Sequence, residues 1–279
     1  MIDEKTTAVI TYVDGNYEEN LENDFIYTLR ERASYQGKII VVDYGVEAEV
    51  RERISKKFDV DFHVCKKDMS VCALRYRDIP EIIDSLDESI TNILVIDGGD
   101  VWFQKSIHEL FEITKQRIGC VEEKMIFGED EWVEKCMKNL DIKDRNRILS
   151  LAMGRHVKNS GMVCGPRHEV SKLIRNVCND IYESGIEYFG IDQLFFNYEF
   201  LKIEDEKGVI LDIDYNFVLI TNKEAYYVEE DDVYCKKNNK LITVVHNAGG
   251  AWRMLKRPFQ NKHTDVEQYI LENVKCITH

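Results

Sequence analysis

The sequence predicts an α/β protein: a mostly parallel sheet flanked by helices, in a single domain. Over the first 120 residues, short apolar strands alternate with amphipathic helices, the order that builds a doubly wound sheet. One of those strands, Ile93 to Ile96, is branched and continuously hydrophobic, which suits a parallel strand covered on both faces. The chain has 279 residues, 44% of them hydrophobic, enough to bury a sizeable core. It has only three prolines (Pro80, Pro166, Pro258), and no Gly/Ser/Pro-rich stretch marks a linker.

In chain order, residues 8–13 are a strand candidate that ends at the turn signal Asp14-Gly15-Asn16. Residues 17–34 place Leu21, Phe25, Ile26, Tyr27 and Leu29 among acids and amides, which predicts an amphipathic helix. A short apolar strand follows at 38–42, a helix at 47–57 and a further strand at 58–64. Residues 75–86 are expected as the helix leading to the strand 93–96, with a helix at 107–114 and a strand at 118–121 after it. Residues 130–155 are charged and helix-prone, either an excursion beside a site or a solvated helical face. A strand at 162–164, an amphipathic helix at 170–184, a helix opening at Asp192 and running to 200, and late strands at 209–213 and 241–245 complete the reading. No internal repeat or low-complexity segment is present.

The net charge of −14 argues against a nucleic-acid partner, which needs a basic footprint. No segment approaches about 18 consecutive apolar residues, so no transmembrane helix is expected. Met1-Ile2-Asp3-Glu4-Lys5 lacks the basic and apolar regions of a signal peptide. The eight cysteines contain no C-x-x-C, and reduced, mostly buried thiols in a cytoplasmic protein are the expectation.

The segment most charged with chemistry is Asp97-Gly98-Gly99-Asp100, directly after the strand 93–96. Ligands of open α/β sheets bind beyond the carboxyl ends of the strands. Two glycines let the chain turn sharply, so that both carboxylates can point at one hard divalent cation. The alternative is a strand followed by a solvated acidic turn. Other polar clusters also border strands or open helices: Asp14-Gly15-Asn16-Tyr17, Asn159-Ser160-Gly161, Asp192-Gln193 and His246-Asn247-Ala248-Gly249-Gly250. A neutral imidazole from His246 is a suitable third ligand for a manganese-like ion beside two carboxylates. The glycines after it would let backbone amides approach phosphate oxygens. Taken singly, each cluster is ordinary turn, cap or surface chemistry; the order of all of them is what carries weight.

Taken together, these motifs resemble the nucleotide-sugar-dependent glycosyltransferases of the GT-A fold, most closely the retaining family 8 type, over most of residues 8–258. Val13-Asp14-Gly15-Asn16-Tyr17 is similar to the first-strand motif that contacts the donor's base and ribose, which implies donor contacts from Tyr12, Asp14 and Asn16. Tyr76-Arg77 looks like the tyrosine-arginine step before the metal motif, with Arg77 supporting the donor. Asp97 to Asp100 stands where the family carries its Asp-x-Asp metal motif. Asn159-Ser160-Gly161 resembles the Asn-x-Gly that touches the donor sugar, and Asp192-Gln193 the pair beside the anomeric carbon. His246-x-x-Gly249, with Lys256 and Pro258, resembles the closing His-x-x-Gly-x-x-Lys-Pro element.

The resemblance implies a Mn2+- or Mg2+-dependent transfer of a hexose from a UDP-sugar to a hydroxyl of a glycan, glycolipid or protein acceptor, with retention and in bacterial-type surface glycan synthesis. Asp97, Asp100 and His246 would hold the metal. Asp192 would bind donor-sugar hydroxyls, and Gln193 would sit by the anomeric centre as transition-state stabiliser or weak nucleophile. The implied layout is a glycosyltransferase domain over 1–258, with nucleotide binding in about 8–120 and acceptor and closing parts in about 150–258, then a helical tail at 259–279. Peripheral contact with a membrane stays open.

Two departures qualify the match. The acidic motif is Asp-x-x-Asp, one residue longer than usual, and the closing element carries the insertion 251–255, which makes Arg253 and Arg257 rivals of Lys256. The longer motif favours a non-catalytic sugar-nucleotide or carbohydrate-binding protein as the main alternative. A phosphohydrolase using Asp97 as nucleophile would want an acid two residues on, where Gly99 stands. A nucleotidyltransferase would want a glycine-rich basic loop, which residues 9–17 lack.

Overall fold

Alternation along the first strand divides the molecule's interior. The structure is a computed structural model that describes residues 2–230 and 232–248. Its first nine strands are β1 (Thr7–Val13), β2 (Lys38–Asp43), β3 (Val60–Val64), β4 (Asn92–Ile96), β5 (Val101–Phe103), β6 (Ile118–Ile126), β7 (His156–Lys158), β8 (Met162–Pro166) and β9 (Gly208–Leu211). Successive side chains of a strand point to opposite faces. Ala8, Ile10 and Tyr12 of β1 therefore enter one core, and Val9 and Val13 the other. β4 repeats the division, with Ile93 and Val95 on one side and Leu94 and Ile96 on the other. A strand buried on both faces must read as a continuous apolar run, as residues 93–96 do.

The central sheet runs in the order β3-β2-β1-β4-β8-β6-β7, with β9 beside β6. β3, β2, β1 and β4 are mutually parallel, as the alternating elements predict. β8 then enters antiparallel between β4 and β6, β7 lies antiparallel on β6, and β9 returns parallel to it. The first core is closed by the helices Val71–Ser85, Arg167–Ser184 and Ile191–Leu201, through Leu74, Ile79, Val170, Leu173, Leu194 and Phe195. On the opposite face, Leu21, Phe25 and Leu29 of the helical run 18–31, Ile54 of Ala48–Phe58, and Phe111 of His108–Ile113 fill the second core.

Several local expectations change. The first helix is wound as a π-helix over Leu21–Ile26. The helix expected from residue 75 begins at Val71, so it carries one more turn toward the cleft. The late run 241–245 does not form one strand. Leu241 ends β13 (Lys240–Leu241), which pairs with β12 (Asp232–Cys235) and through it with β11 (Tyr226–Glu229). Val244 begins β14 (Val244–His246), which lies between β5 and β10 (Phe217–Val218). The same apolar run thus serves two small sheets.

Among the described residues the cysteines are free thiols. Cys120, Cys136 and Cys164 are buried, whereas Cys65, Cys72, Cys178 and Cys235 are half-buried. No described helix is long and apolar enough to cross a membrane. Gly249, Lys256, Pro258 and the tail at 259–279 lie outside the described residues, as do Arg253 and Arg257.

Candidate functional site

Strand register brings distant residues to one point at the carboxyl ends of β1 and β4. β14 runs antiparallel to β5 with His246 opposite Val101, so its imidazole arrives beside Asp100. The Asn247 amide also donates to the Asp100 carbonyl at 2.8 Å. β8 pairs with β4, Met162 opposite Ile96, and the Asp97 amide donates to the Gly161 carbonyl at 2.9 Å. That pairing delivers Asn159, Ser160 and Gly161 to the same place.

The turn between the two acids needs glycine for a steric reason. Neither Gly98 nor Gly99 has a positive φ. A Cβ on Gly98 would lie 2.3 Å from the Thr11 hydroxyl oxygen, and one on Gly99 would lie 2.6 Å from the Tyr17 ring. The turn is pressed against β1 and Tyr17, and close approach of backbone is what these glycines supply.

One ligand atom each from Asp97, Asp100 and His246 lies within 4.8 Å of the others. His246 Nε2 stands 3.4 Å from a carboxylate oxygen of Asp97 and 3.4 Å from one of Asp100. This nitrogen is buried and has no hydrogen-bond partner. Two carboxylates and an imidazole suit a hard or borderline divalent ion, and such an ion would satisfy that orphaned atom. The residues present therefore fit a divalent cation. Burial pushes the Asp97 carboxyl up to about 6, against the pull of His246. Burial by itself would lower the His246 imidazole, but Asp100 and Asp97 outweigh it and raise the group to about 10.

Behind the acids lies a buried guanidinium. Arg75 donates to Asp97 Oδ1 at 2.7 Å, to the Ser160 hydroxyl at 3.1 Å, and to Asp192. Its guanidinium carbon lies 4.8 Å from the ring centres of both Tyr12 and Tyr76, which hold it between two aromatic faces. Ser160 donates its amide to Gln193 Oε1 at 3.1 Å and its hydroxyl to Asp192 at 3.1 Å. Asp192 and Gln193 open the helix Ile191–Leu201, where Gly190 at φ 96° turns the chain in.

The structure places the expected residues as follows. Tyr12, Asp14, Asp97, Asp100, Asn159, Ser160, Gly161, Asp192, Gln193 and His246 all line one cleft. Asp14 sits at its edge, paired with Lys67 at 2.8 Å. Asn16 does not line the cleft; it is exposed, and its backbone N–H donates to the capping Asp14 carboxylate at 3.0 Å. Arg77 requires a correction, since it points away and is held by Asp68 and Asp78 at 2.7 Å each. Positions two apart on a helix lie on nearly opposite sides, so Arg75 and Arg77 cannot share a face. Arg75 takes the inward place. The pattern was readable: Arg75, Ile79, Ile82, Ile83 and Leu86 fall at i, i+4, i+7, i+8 and i+11, a cation on an apolar stripe. Glu123 and Asn216 also enter the site unannounced, the first from β6 beyond its expected end at 121, the second from a loop with no motif.

Gly161 is a third point of close approach in the cleft. A Cβ there would meet Asp97 Oδ2 at 2.6 Å, His246 Cε1 at 2.8 Å and Asn159 Oδ1 at 2.9 Å. Gly161→Ala is expected to splay the acidic cluster and weaken Mn2+ binding about tenfold, since displaced ligands and their supports typically cost that much affinity. Calorimetric titration with Mn2+ checks it; unchanged affinity in a folded variant would show that the cluster tolerates the methyl group.

With the geometry in view, the architecture is the GT-A fold expected from the sequence. Two solved structures of the galactosyltransferase LgtC share it. One is an active-site mutant, with 12% identity and a TM-score of 0.61 over 96% of this chain and 95% of that one. The other is a complex with donor and acceptor sugar analogs, with 13% identity and a TM-score of 0.60 over 96% of each chain. At this identity the likeness shows the fold. No family model matches the chain, and no curated protein matches it.

Proposed function

We propose that this protein is a metal-dependent glycosyltransferase that moves a hexose from a UDP-sugar to an acceptor hydroxyl, with retention, in surface glycan synthesis. The observation that carries the reading is the gathering of Asp97, Asp100 and His246, whose buried Nε2 makes no hydrogen bond, at the carboxyl ends of parallel strands. The whole-chain likeness to a galactosyltransferase solved with donor and acceptor sugar analogs supports it. Asp97, Asp100 and His246 would hold Mn2+ or Mg2+, which when bound supplies charge stabilisation for a leaving diphosphate. Asp14, at the cleft edge, and Tyr12 would fix the nucleoside. Asp192, held by Arg75 and Ser160, would accept hydrogen bonds from donor-sugar hydroxyls. Gln193 would lie beside the anomeric centre, its amide held in one orientation by the Ser160 N–H. Trp132 and Phe189, ring centres 6.5 Å apart at the mouth of the cleft, offer a face for an acceptor sugar ring.

Thermal-shift screening of UDP-sugars with Mn2+, followed by transfer and hydrolysis assays, tests the proposal. Metal-dependent stabilisation with turnover is the expected result. Stabilisation without turnover would favour the sugar-nucleotide-binding alternative that the longer Asp-x-x-Asp motif suggests, and neither effect would remove the reading altogether.

The site also sets a pH dependence. Below about 10 the imidazole of His246 holds a proton that a metal must displace. Affinity for Mn2+ is therefore expected to rise with pH between about 6 and 8, approaching tenfold per unit for one displaced proton. A pH-independent dissociation constant would remove His246 from the ligand set.

A further inference from the structure

The orientation of His246 is decided by a buried chain of amides that ends in a carboxylate. His246 Nδ1 lies 3.0 Å from Asn216 Oδ1. Asn216 Nδ2 donates to Asn159 Oδ1 at 2.9 Å, and Asn159 Nδ2 donates to Glu123 Oε1 at 2.8 Å. The same Glu123 oxygen accepts from Gln193 Nε2 at 3.2 Å. Asn216, Asn159, Glu123 and Gln193 are all at most 8% exposed, so each of these polar groups depends on its protein partners.

Side-chain amides can be turned end for end, but two backbone groups forbid it here. The Gly161 N–H, which can only donate, points at Asn159 Oδ1 at 2.9 Å. The Ser160 N–H points at Gln193 Oε1 at 3.1 Å. Both side-chain NH2 groups must therefore face Glu123, whose Oε1 accepts from each, while burial pushes its carboxyl above the usual carboxylate range. Asn159 Oδ1 in turn requires the NH2 of Asn216, which leaves only the Asn216 oxygen to face the imidazole. His246 Nδ1 must then carry a proton, and the lone pair of the neutral ring is left on Nε2, toward Asp97 and Asp100.

We propose that Asn216 and Glu123 are positioning residues for the metal site. Asn216 holds the His246 tautomer directly. Glu123 terminates the chain by accepting from the NH2 groups that the Gly161 and Ser160 N–H groups direct toward it, and through Gln193 it links the cation site to the group beside the reacting centre. The inference rests on the metal reading proposed above.

The test uses the whole chain and Mn2+ alone as ligand. Asn216→Leu and Glu123→Met remove the acceptors, and Glu123→Gln keeps one acceptor oxygen. Calorimetry is expected to show Mn2+ binding weakened at least tenfold in the first two and within about threefold of the unaltered protein in Glu123→Gln, the scale seen when the support of a metal-binding histidine is removed. Proton–nitrogen correlation spectra of the Mg2+-loaded protein add a readout that a merely structural role would not move. They are expected to show His246 protonated on Nδ1 in the unaltered protein and in Glu123→Gln, with that proton hydrogen-bonded, and the hydrogen bond lost in Asn216→Leu. Unaltered affinity in Asn216→Leu and Glu123→Met, with an unaltered Nδ1 proton in Asn216→Leu, would overturn the inference alone. Absence of Mn2+ binding by the unaltered protein would overturn the metal reading and this inference with it. If Glu123→Met fails to fold, Asn216→Leu decides by the same two readouts.

Discussion

Asp97→Asn is expected to lower metal-dependent transfer about a thousandfold, equivalent to about 4 kcal/mol of lost transition-state stabilisation. The substitution keeps the volume of the side chain and one oxygen able to accept from Arg75, 2.7 Å away. It removes the negative charge that faces His246 and Asp100, so it separates charge from packing. The measurement is steady-state kinetics with whichever UDP-sugar the unaltered protein turns over, accompanied by Mn2+ calorimetry and thermal unfolding. Turnover within a few fold, with Mn2+ still bound, would mean that the acids after β4 do not serve a cation, and the glycosyltransferase assignment would lose its chief support. His246→Ala is expected to follow Asp97→Asn in both readouts, because both groups face one point.

Arg75→Met is expected to destabilise the fold by about 3–5 kcal/mol, the usual cost of removing one member of a buried ion pair and leaving the others unpaired. The Arg75 and Asp192 side chains are each only 7% exposed, so solvent screens their pairing little. Without the guanidinium, Asp97 and Asp192 would face each other with no cation between them, and the Ser160 hydroxyl would lose a donor. Tyr12 and Tyr76 would keep a side chain of similar length between their rings but lose the attraction of a cation for their faces. Arg75→Lys is expected to recover only part of the stability, since an ammonium cannot serve Asp97, Asp192 and Ser160 in one plane. Urea denaturation measures both variants. A stability change below about 1 kcal/mol would show that the bridge contributes no more than an exposed pair does. Turnover is expected to fall with it, because Asp192 would lose the partner that aims it.

The limits of reading the chain are clearest in the helix before the acidic turn. Residue types there pointed to an arginine beside a tyrosine, and two arginines flank Tyr76 in sequence. Only the helix phase separates them, and it turns Arg77 to Asp68 and Asp78 and Arg75 to the cleft. Glycine shows the same limit in another form. Gly98 and Gly99 were expected for the sharpness of their turn, yet the constraint on them is the nearness of Thr11 and Tyr17, residues some 80 positions earlier. The run 241–245 reads as one apolar strand because hydrophobicity records burial, and both pieces are buried or half-buried though they join different sheets.

By itself the sequence determined the parallel half of the sheet, the acidic turn at the end of its fourth strand, and the recurrence of polar clusters beside the later elements. These follow from local physics: a strand covered on both faces must be apolar throughout, and a segment that turns beside a ligand must be small or polar. The tertiary structure alone decided which of those clusters meet. Antiparallel entry of β8 and β14 set the approach of Gly161 and His246 to the acids, helix phase chose Arg75, and Glu123 and Asn216 came in through pairings with no local mark. Side-chain convergence depends on register between strands far apart in the chain, and register is set by the packing of both cores together.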